Sequence, residues 1–136
     1  MFPCAVLGDS LAAGVAMQAP ACVAVATVGI TSAEFDERRL QSVDAAVVLI
    51  SLGANDVGRH IRTAEHLLAV RKRIQAGRVY WLLPARPETV RSLISATAFL
   101  FGDRLIDTQG STGADGLHLT AQTYRIVSKV LDPTFR

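Results

Sequence analysis

The sequence predicts an α/β domain built on a mostly parallel sheet of five strands. Three observations lead there. Short apolar runs rich in Val, Ile and Leu recur along the chain, as in strands buried on both faces of a parallel sheet. Amphipathic stretches with helical spacing lie between several of them. Glycine and polar residues gather just after the apolar runs, where open α/β sheets place their ligand sites.

The elements follow in order. Cys4–Leu7 is the first apolar run, ended by Gly8-Asp9-Ser10. The stretch from Leu11 to Ala21 leaves room for only one or two helical turns, because a parallel crossover normally needs about a dozen residues. Cys22–Val28 is the second strand and Ala45–Leu52 the third. Thr63–Ala76 places Ala64, Leu67, Leu68 and Ile74 along one helical stripe, with Gly77 as a helix stop. Val79–Leu83 is the fourth strand, stopped by Pro84, and Trp81 within it is a core residue. Pro87–Leu100 opens with Pro and Glu, as a first helical turn prefers, and carries Val90, Leu93, Ile94 and Ala98. Arg104–Asp107 is the fifth strand, and Thr120–Leu131 a last helix with Thr120 as its cap. No linker, repeat or low-complexity segment interrupts the chain, so one domain spans residues 1–136.

Composition narrows the function classes. Lys and Arg number 14 against 12 Asp and Glu, a net +2 too small to suggest a nucleic-acid partner. No apolar run approaches a membrane span. Phe2 and Pro3 stand where a signal peptide has its basic region, so a cytosolic location is expected. Cys4 and Cys22 lack metal-site spacing and sit in apolar runs, which reads as two buried free thiols.

Four loops bring chemistry to the carboxyl ends of the strands: Gly8–Leu11, Gly29–Ser32, Gly53–Asp56 and Asp115–His118. A serine hydroxyl becomes a nucleophile when a neutral imidazole takes its proton and a carboxylate orients that imidazole. Ser10, His118 and Asp115 have the residue types for those roles. An oxyanion needs aimed donors. Backbone N–H groups of Ser10 and of the loop after strand two qualify, with the Asn55 amide as a third. Plainer readings exist for each residue. Ser10 could cap the following helix, Asn55 could sit in a turn, and Asp115 could begin an Asp-Gly turn, though that leaves His118 unexplained. Asp9 reads as a turn residue, and Asp56 as a residue that supports its neighbours in the site or caps, rather than a catalytic one. His60 and His66 read as surface residues. Arg59 and Arg86 follow strands three and four on the site side, where an anionic substrate could meet them, but a solvated surface is the simpler reading.

GDSL at residues 8–11, GAND at 53–56 and DGLHLT at 115–120 resemble, in order, three signature blocks of the SGNH (GDSL) hydrolase family. The resemblance reaches from Gly8 to Thr120. It implies a flavodoxin-like, three-layer α/β/α fold with the five-stranded parallel sheet in the order 2-1-3-4-5, and hydrolysis of esters or related acyl bonds, without a metal or organic cofactor. It implies Ser10 as nucleophile, Asp115 and His118 as its partners, and Asn55 as an oxyanion donor. One block departs from the family: Ser32 stands where a glycine usually gives its N–H to the oxyanion, and a second register would give Gly29 that place. The expected reaction is hydrolysis of a short-chain ester or a carbohydrate O-acetyl ester through an acyl-Ser10 intermediate. The alternatives are an acyltransferase or thioesterase using the same residues, and a non-catalytic binding domain. A nucleotide-binding flavodoxin-like protein ranks behind these, because no Walker or G-x-G-x-x-G motif is present.

Overall fold

The computed structural model describes residues 1–135. Its five strands are β1 (Phe2–Gly8), β2 (Val23–Ala26), β3 (Val43–Ser51), β4 (Ile74–Leu83) and β5 (Arg104–Asp107). They form one parallel sheet in the order β2-β1-β3-β4-β5, the arrangement expected from the sequence. β1 lies between β2 and β3, with Leu7 paired to Val25 on one side and Ile50 on the other.

Alternation along the strands builds two cores. Ala5, Leu7, Val48, Ile50 and Trp81 face one layer of helices, formed by α3 (Thr63–Lys72) and α4 (Glu88–Phe101). Cys4, Val6, Val47, Leu49 and Leu82 face the other, formed by α1 (Ser10–Met17) and α5 (Ala121–Ser128). A Cβ on Gly14 would lie 2.4 Å from the Tyr124 ring, so glycine is what lets α1 approach α5 this closely. α1 is two turns long, as its short connection requires. Among the described residues, no helix is long and apolar enough to cross a membrane.

Two boundaries differ from the sequence reading. α3 stops at Lys72 and β4 begins at Ile74, so Gly77 lies inside a strand rather than after a helix. Ile74 and Ala76 pair with Val43 and Ala45, a period-two pattern that overlaps the end of the helical stripe. A Cβ on Gly77 would meet the Ala46 carbonyl at 3.1 Å, which gives this glycine a packing role. The second difference is a short helix, α2 (Ser32–Glu34), that runs directly into a π-helical turn at Phe35–Arg39. Its signal is Thr31-x-x-Glu34, a capping box in which the Thr31 hydroxyl accepts from Glu34 N–H and the Glu34 carboxylate accepts from Thr31 N–H.

The thiols are also corrected. Cys4 and Cys22 form a disulfide, with Cα atoms 4.7 Å apart. The pairing of Ala5 with Val23 sets the two cysteines side by side. Position within an apolar run does not reveal this, because the bond depends on how β2 registers against β1. The intact protein should therefore weigh two protons less than its reduced form. Reduction should lower stability by about 3 kcal/mol, the loop-closure value for a cross-link of this span. A denaturant midpoint that does not move on reduction would count against a structural bond.

Candidate active site

The position of Ser10 is set by the two residues before it. Gly8 ends β1 at φ 134°, and a Cβ there would fall 1.8 Å from the Ser51 carbonyl oxygen, so only glycine fits. Asp9 is 1% exposed and donates its N–H to Ser51 O at 3.0 Å. Its Oδ1 accepts from Leu11 N–H at 3.1 Å, making Asp9 the cap of α1. Ser10 is thus the first helical residue, not the cap, and its hydroxyl is free for other work. Leu11, Ala12 and Val15 anchor the helix in the core.

Burial pushes the Asp9 carboxyl up to about 6, against the opposing effect of the Ser51 hydroxyl and the Leu11 N–H. A folded-state value above the unfolded one gives a stabilising contribution that is full below about pH 4 and lost as pH rises through about 6. That loss is on the order of 3 kcal/mol. Asp9→Asn keeps the capping oxygen and should remove this slope. The check is urea unfolding of both proteins from pH 4 to 8, and superimposable stability profiles would oppose the assignment.

His118 and Asp115 come from the loop after β5. Thr108 closes its near end, with its hydroxyl donating to Leu83 O at 2.6 Å. A bridge between Thr112 and Leu119 closes its far end, where Gly113 N–H donates to His118 O at 2.7 Å. Buried Leu119 anchors the loop, and the Thr120 hydroxyl caps α5 by accepting from Thr123 N–H. Asp115 Oδ1 accepts from the N–H groups of Leu117 and His118, each at 2.9 Å. Its Oδ2 lies 2.6 Å from His118 Nδ1, and His118 Nε2 lies 2.8 Å from Ser10 Oγ. The His118 hydrogen bond, followed by the two backbone N–H groups, lowers the Asp115 carboxyl to about 2. Asp115 is therefore an acceptor throughout the neutral range. It accepts a hydrogen bond from Nδ1–H, which leaves Nε2 to accept from the serine hydroxyl. The histidine and aspartate side chains are 46% and 53% exposed, so the relay lies open at the surface.

The loop after β3 carries Asn55 in a 3-10 turn, Ala54–Asp56, entered through Gly53 at φ 106°. Asn55 is half-buried, and its Nδ2 donates to Ile30 O at 3.0 Å. Ser32 is fully buried as the first residue of α2. Its N–H is not aimed freely at Ser10: it donates to Asp56 Oδ1 at 2.9 Å, while its hydroxyl donates to Asp56 Oδ2. Thr63 adds a third bond, its hydroxyl donating to Asp56 Oδ2 at 2.7 Å. Asp56, 5% exposed, thereby ties the loop after β2, the loop after β3 and the start of α3 together. The sequence reading has Asp56 supporting its neighbours or capping rather than reacting; the structure adds which three donors it holds. Gly29, at φ 79°, forms an exposed turn with open space around its Cα.

The remaining candidates fall as follows. His60 and Arg59 are exposed beyond Asn55. His66 is half-buried rather than free on the surface, bonded through Nδ1 to Asp36 at 2.7 Å. Arg86 braces the Asp115 loop, with Nη2 3.4 Å from Asp115 O. Trp81 is fully buried and donates from Nε1 to Asp103 at 2.9 Å.

Solved structures share this arrangement of strands and helices. A member of the lipolytic protein G-D-S-L family from Veillonella parvula superposes with a TM-score of 0.68 at 12% identity, over 97% of both chains. The chain has the SGNH/GDSL hydrolase fold. Two further solved structures agree. A carbohydrate esterase family 3 protein from Talaromyces cellulolyticus gives 0.58 at 14% identity, over 98% of this chain and 95% of that one. The catalytic domain of peptidoglycan O-acetyltransferase A from Streptococcus pneumoniae gives 0.51 at 13% identity, over 95% and 87%. No family model and no curated protein sequence matches the chain.

Proposed function

We propose that the protein is a serine esterase acting on short-chain or carbohydrate O-acyl esters through an acyl-Ser10 intermediate. The observation that carries this reading is the unbroken relay Ser10 Oγ, His118 Nε2, His118 Nδ1, Asp115 Oδ2, with links of 2.8 and 2.6 Å. In the first step His118 Nε2 takes the Ser10 proton as Oγ bonds to the ester carbonyl carbon. The tetrahedral intermediate collapses, and the same proton goes to the leaving alcohol. Water then loses a proton to His118 and attacks the acyl-serine, releasing the acid and restoring the hydroxyl. Asp115 stabilises the imidazolium at both stages.

Two donors suit the oxyanion. Ser10 N–H is at the start of α1, where first-turn N–H groups lack intrahelical acceptors. Asn55 has two amide hydrogens. One is held by Ile30 O, which fixes the side chain and leaves the other to point at substrate. Ser32 N–H, engaged by Asp56, can contribute only as a shared bond. Asn55→Ala should accordingly lower kcat by about 10²–10³, with Tm little changed. Equal turnover in the variant and the wild type would remove Asn55 from the reaction.

A shallow, open relay supports small acyl groups, and the carbohydrate esterase among the structural neighbours is in keeping with a sugar ester. The closed Cys4–Cys22 bond supports a compartment that does not hold thiols reduced, rather than the cytosol expected from the sequence. The direct test of the reading is labelling with a fluorophosphonate probe. The chain should be labelled and Ser10→Ala should not. An unlabelled wild-type chain that also fails to hydrolyse p-nitrophenyl acetate would favour a binding domain instead.

A further inference from the structure

Beside the relay lies a second feature that the esterase chemistry does not use. A cleft of about 270 Å³ opens over the end of β2, lined by Thr27, Ile30, Glu34, Arg38 and Arg39 among others. Its wall is shared with the site. Thr27 N–H donates to Gly8 O at 2.9 Å, two residues before Ser10, and Ile30 O is the acceptor that holds the Asn55 amide. A molecule whose ester reaches Ser10 and Asn55 therefore has this cleft as its neighbour.

The charge of the cleft is lopsided. Arg39 is steadied by its bond from Nη2 to the Thr27 hydroxyl at 2.8 Å, with its guanidinium at the lining. Arg38 has no hydrogen-bond or ion-pair partner among the described residues and is exposed. Arg59 approaches from the loop after Asn55. It and Arg38 both act on the Glu34 carboxylate, though less strongly than the Thr31 backbone and hydroxyl do. Two arginines, Arg38 and Arg39, thus share the lining with one carboxylate, Glu34, which is already occupied by the capping box of α2. Guanidinium is the side chain that best matches a carboxylate in two-point hydrogen bonding. Glu34 in the same lining repels a second negative charge, which favours a monoanion over a phosphate dianion.

We propose that the Arg38–Arg39 cleft is a subsite for a carboxylate carried on the alcohol part of the substrate, making the preferred ester an O-acylated acidic sugar. This rests on the esterase reading for its catalytic half but not for its binding half. The experiment uses an O-acetylated glucuronic acid and its methyl ester, which differ at the carboxylate alone. Wild-type kcat/KM should favour the free acid by about tenfold at low ionic strength, and the advantage should shrink as salt is added. The ratio of acid to methyl ester is read within each protein, so a general loss of activity cancels. Arg38→Gln and Arg39→Gln should each bring it toward one. Calorimetric titration with glucuronate, glucose and glucose 6-phosphate supplies a readout that does not need turnover. Glucuronate should bind more tightly than glucose, and Arg38→Gln should abolish the difference. If no ester is cleaved but that binding pattern holds, the subsite stands and the esterase reading falls. Equal rates on acid and methyl ester, with no preference for glucuronate over glucose, would overturn the subsite. Tighter binding of glucose 6-phosphate than of glucuronate would overturn its assignment to a carboxylate.

Discussion

Ser10→Ala is expected to lower turnover of p-nitrophenyl acetate by about 10³-fold or more, with folding unchanged. The hydroxyl is the group 2.8 Å from His118 Nε2, and no second hydroxyl among the described residues bonds to that nitrogen. The variant loses the covalent route but keeps the Asn55 amide and the first-turn N–H, so a small residual rate should persist. Structural cost should be slight. Asp9, not Ser10, caps α1, and the core contacts of the helix come from Leu11, Ala12 and Val15. The measurement is kcat/KM beside a circular-dichroism melt. A variant that melts normally and retains more than a tenth of wild-type activity would remove Ser10 as nucleophile.

Asp56→Ala should have the largest effect on stability. The substitution strands the Ser32 N–H, the Ser32 hydroxyl and the Thr63 hydroxyl, all of which now donate to one buried carboxylate. Each buried donor left without an acceptor costs on the order of 1–3 kcal/mol, so a loss of about 3 kcal/mol or more is expected. For a chain of this size that corresponds to a fall in Tm of roughly 10 °C. Turnover should fall as well, measured at a temperature where the variant remains folded, because Ile30, which holds Asn55, sits two residues before Ser32. Thr63→Ala, which removes only one of the three bonds, should show a fraction of the effect. A Tm within 2 °C of wild type in Asp56→Ala would contradict the role described here.

Much of this architecture is legible in the sequence for a simple reason. Strands such as Val43–Ser51 are buried on both faces, and an unbroken run of aliphatic residues has few other places to go. Asp115 and His118 are legible too, because the acid and the imidazole meet within one four-residue turn and need no knowledge of the rest of the chain. The misses share an opposite cause. The Cys4–Cys22 bond depends on the register between two strands, which a count along the chain does not supply. The engagement of Ser32 N–H by Asp56 spans 24 residues and joins the loop after β2 to the loop after β3. The early start of β4 reflects pairing of Ile74 with Val43, which competes with a helical pattern that fits the same residues. Local chemistry could be read; partners fixed only by packing could not.

The closeness of Asp115 to His118 along the chain has a mechanical consequence. The relay consists of two bodies. One is the Asp115–His118 turn, cross-linked internally through the aspartate carboxylate. The other is Ser10, seated on β1 and α1. Acid and base ride together, so any displacement of the turn leaves their mutual geometry intact and alters a single separation, from Nε2 to Oγ. Gly113 and Leu119 at the base of the turn, and Arg86 at its side, set that one distance from outside the reacting atoms. The alignment of the whole relay reduces to how one small rigid loop docks against the first turn of one helix.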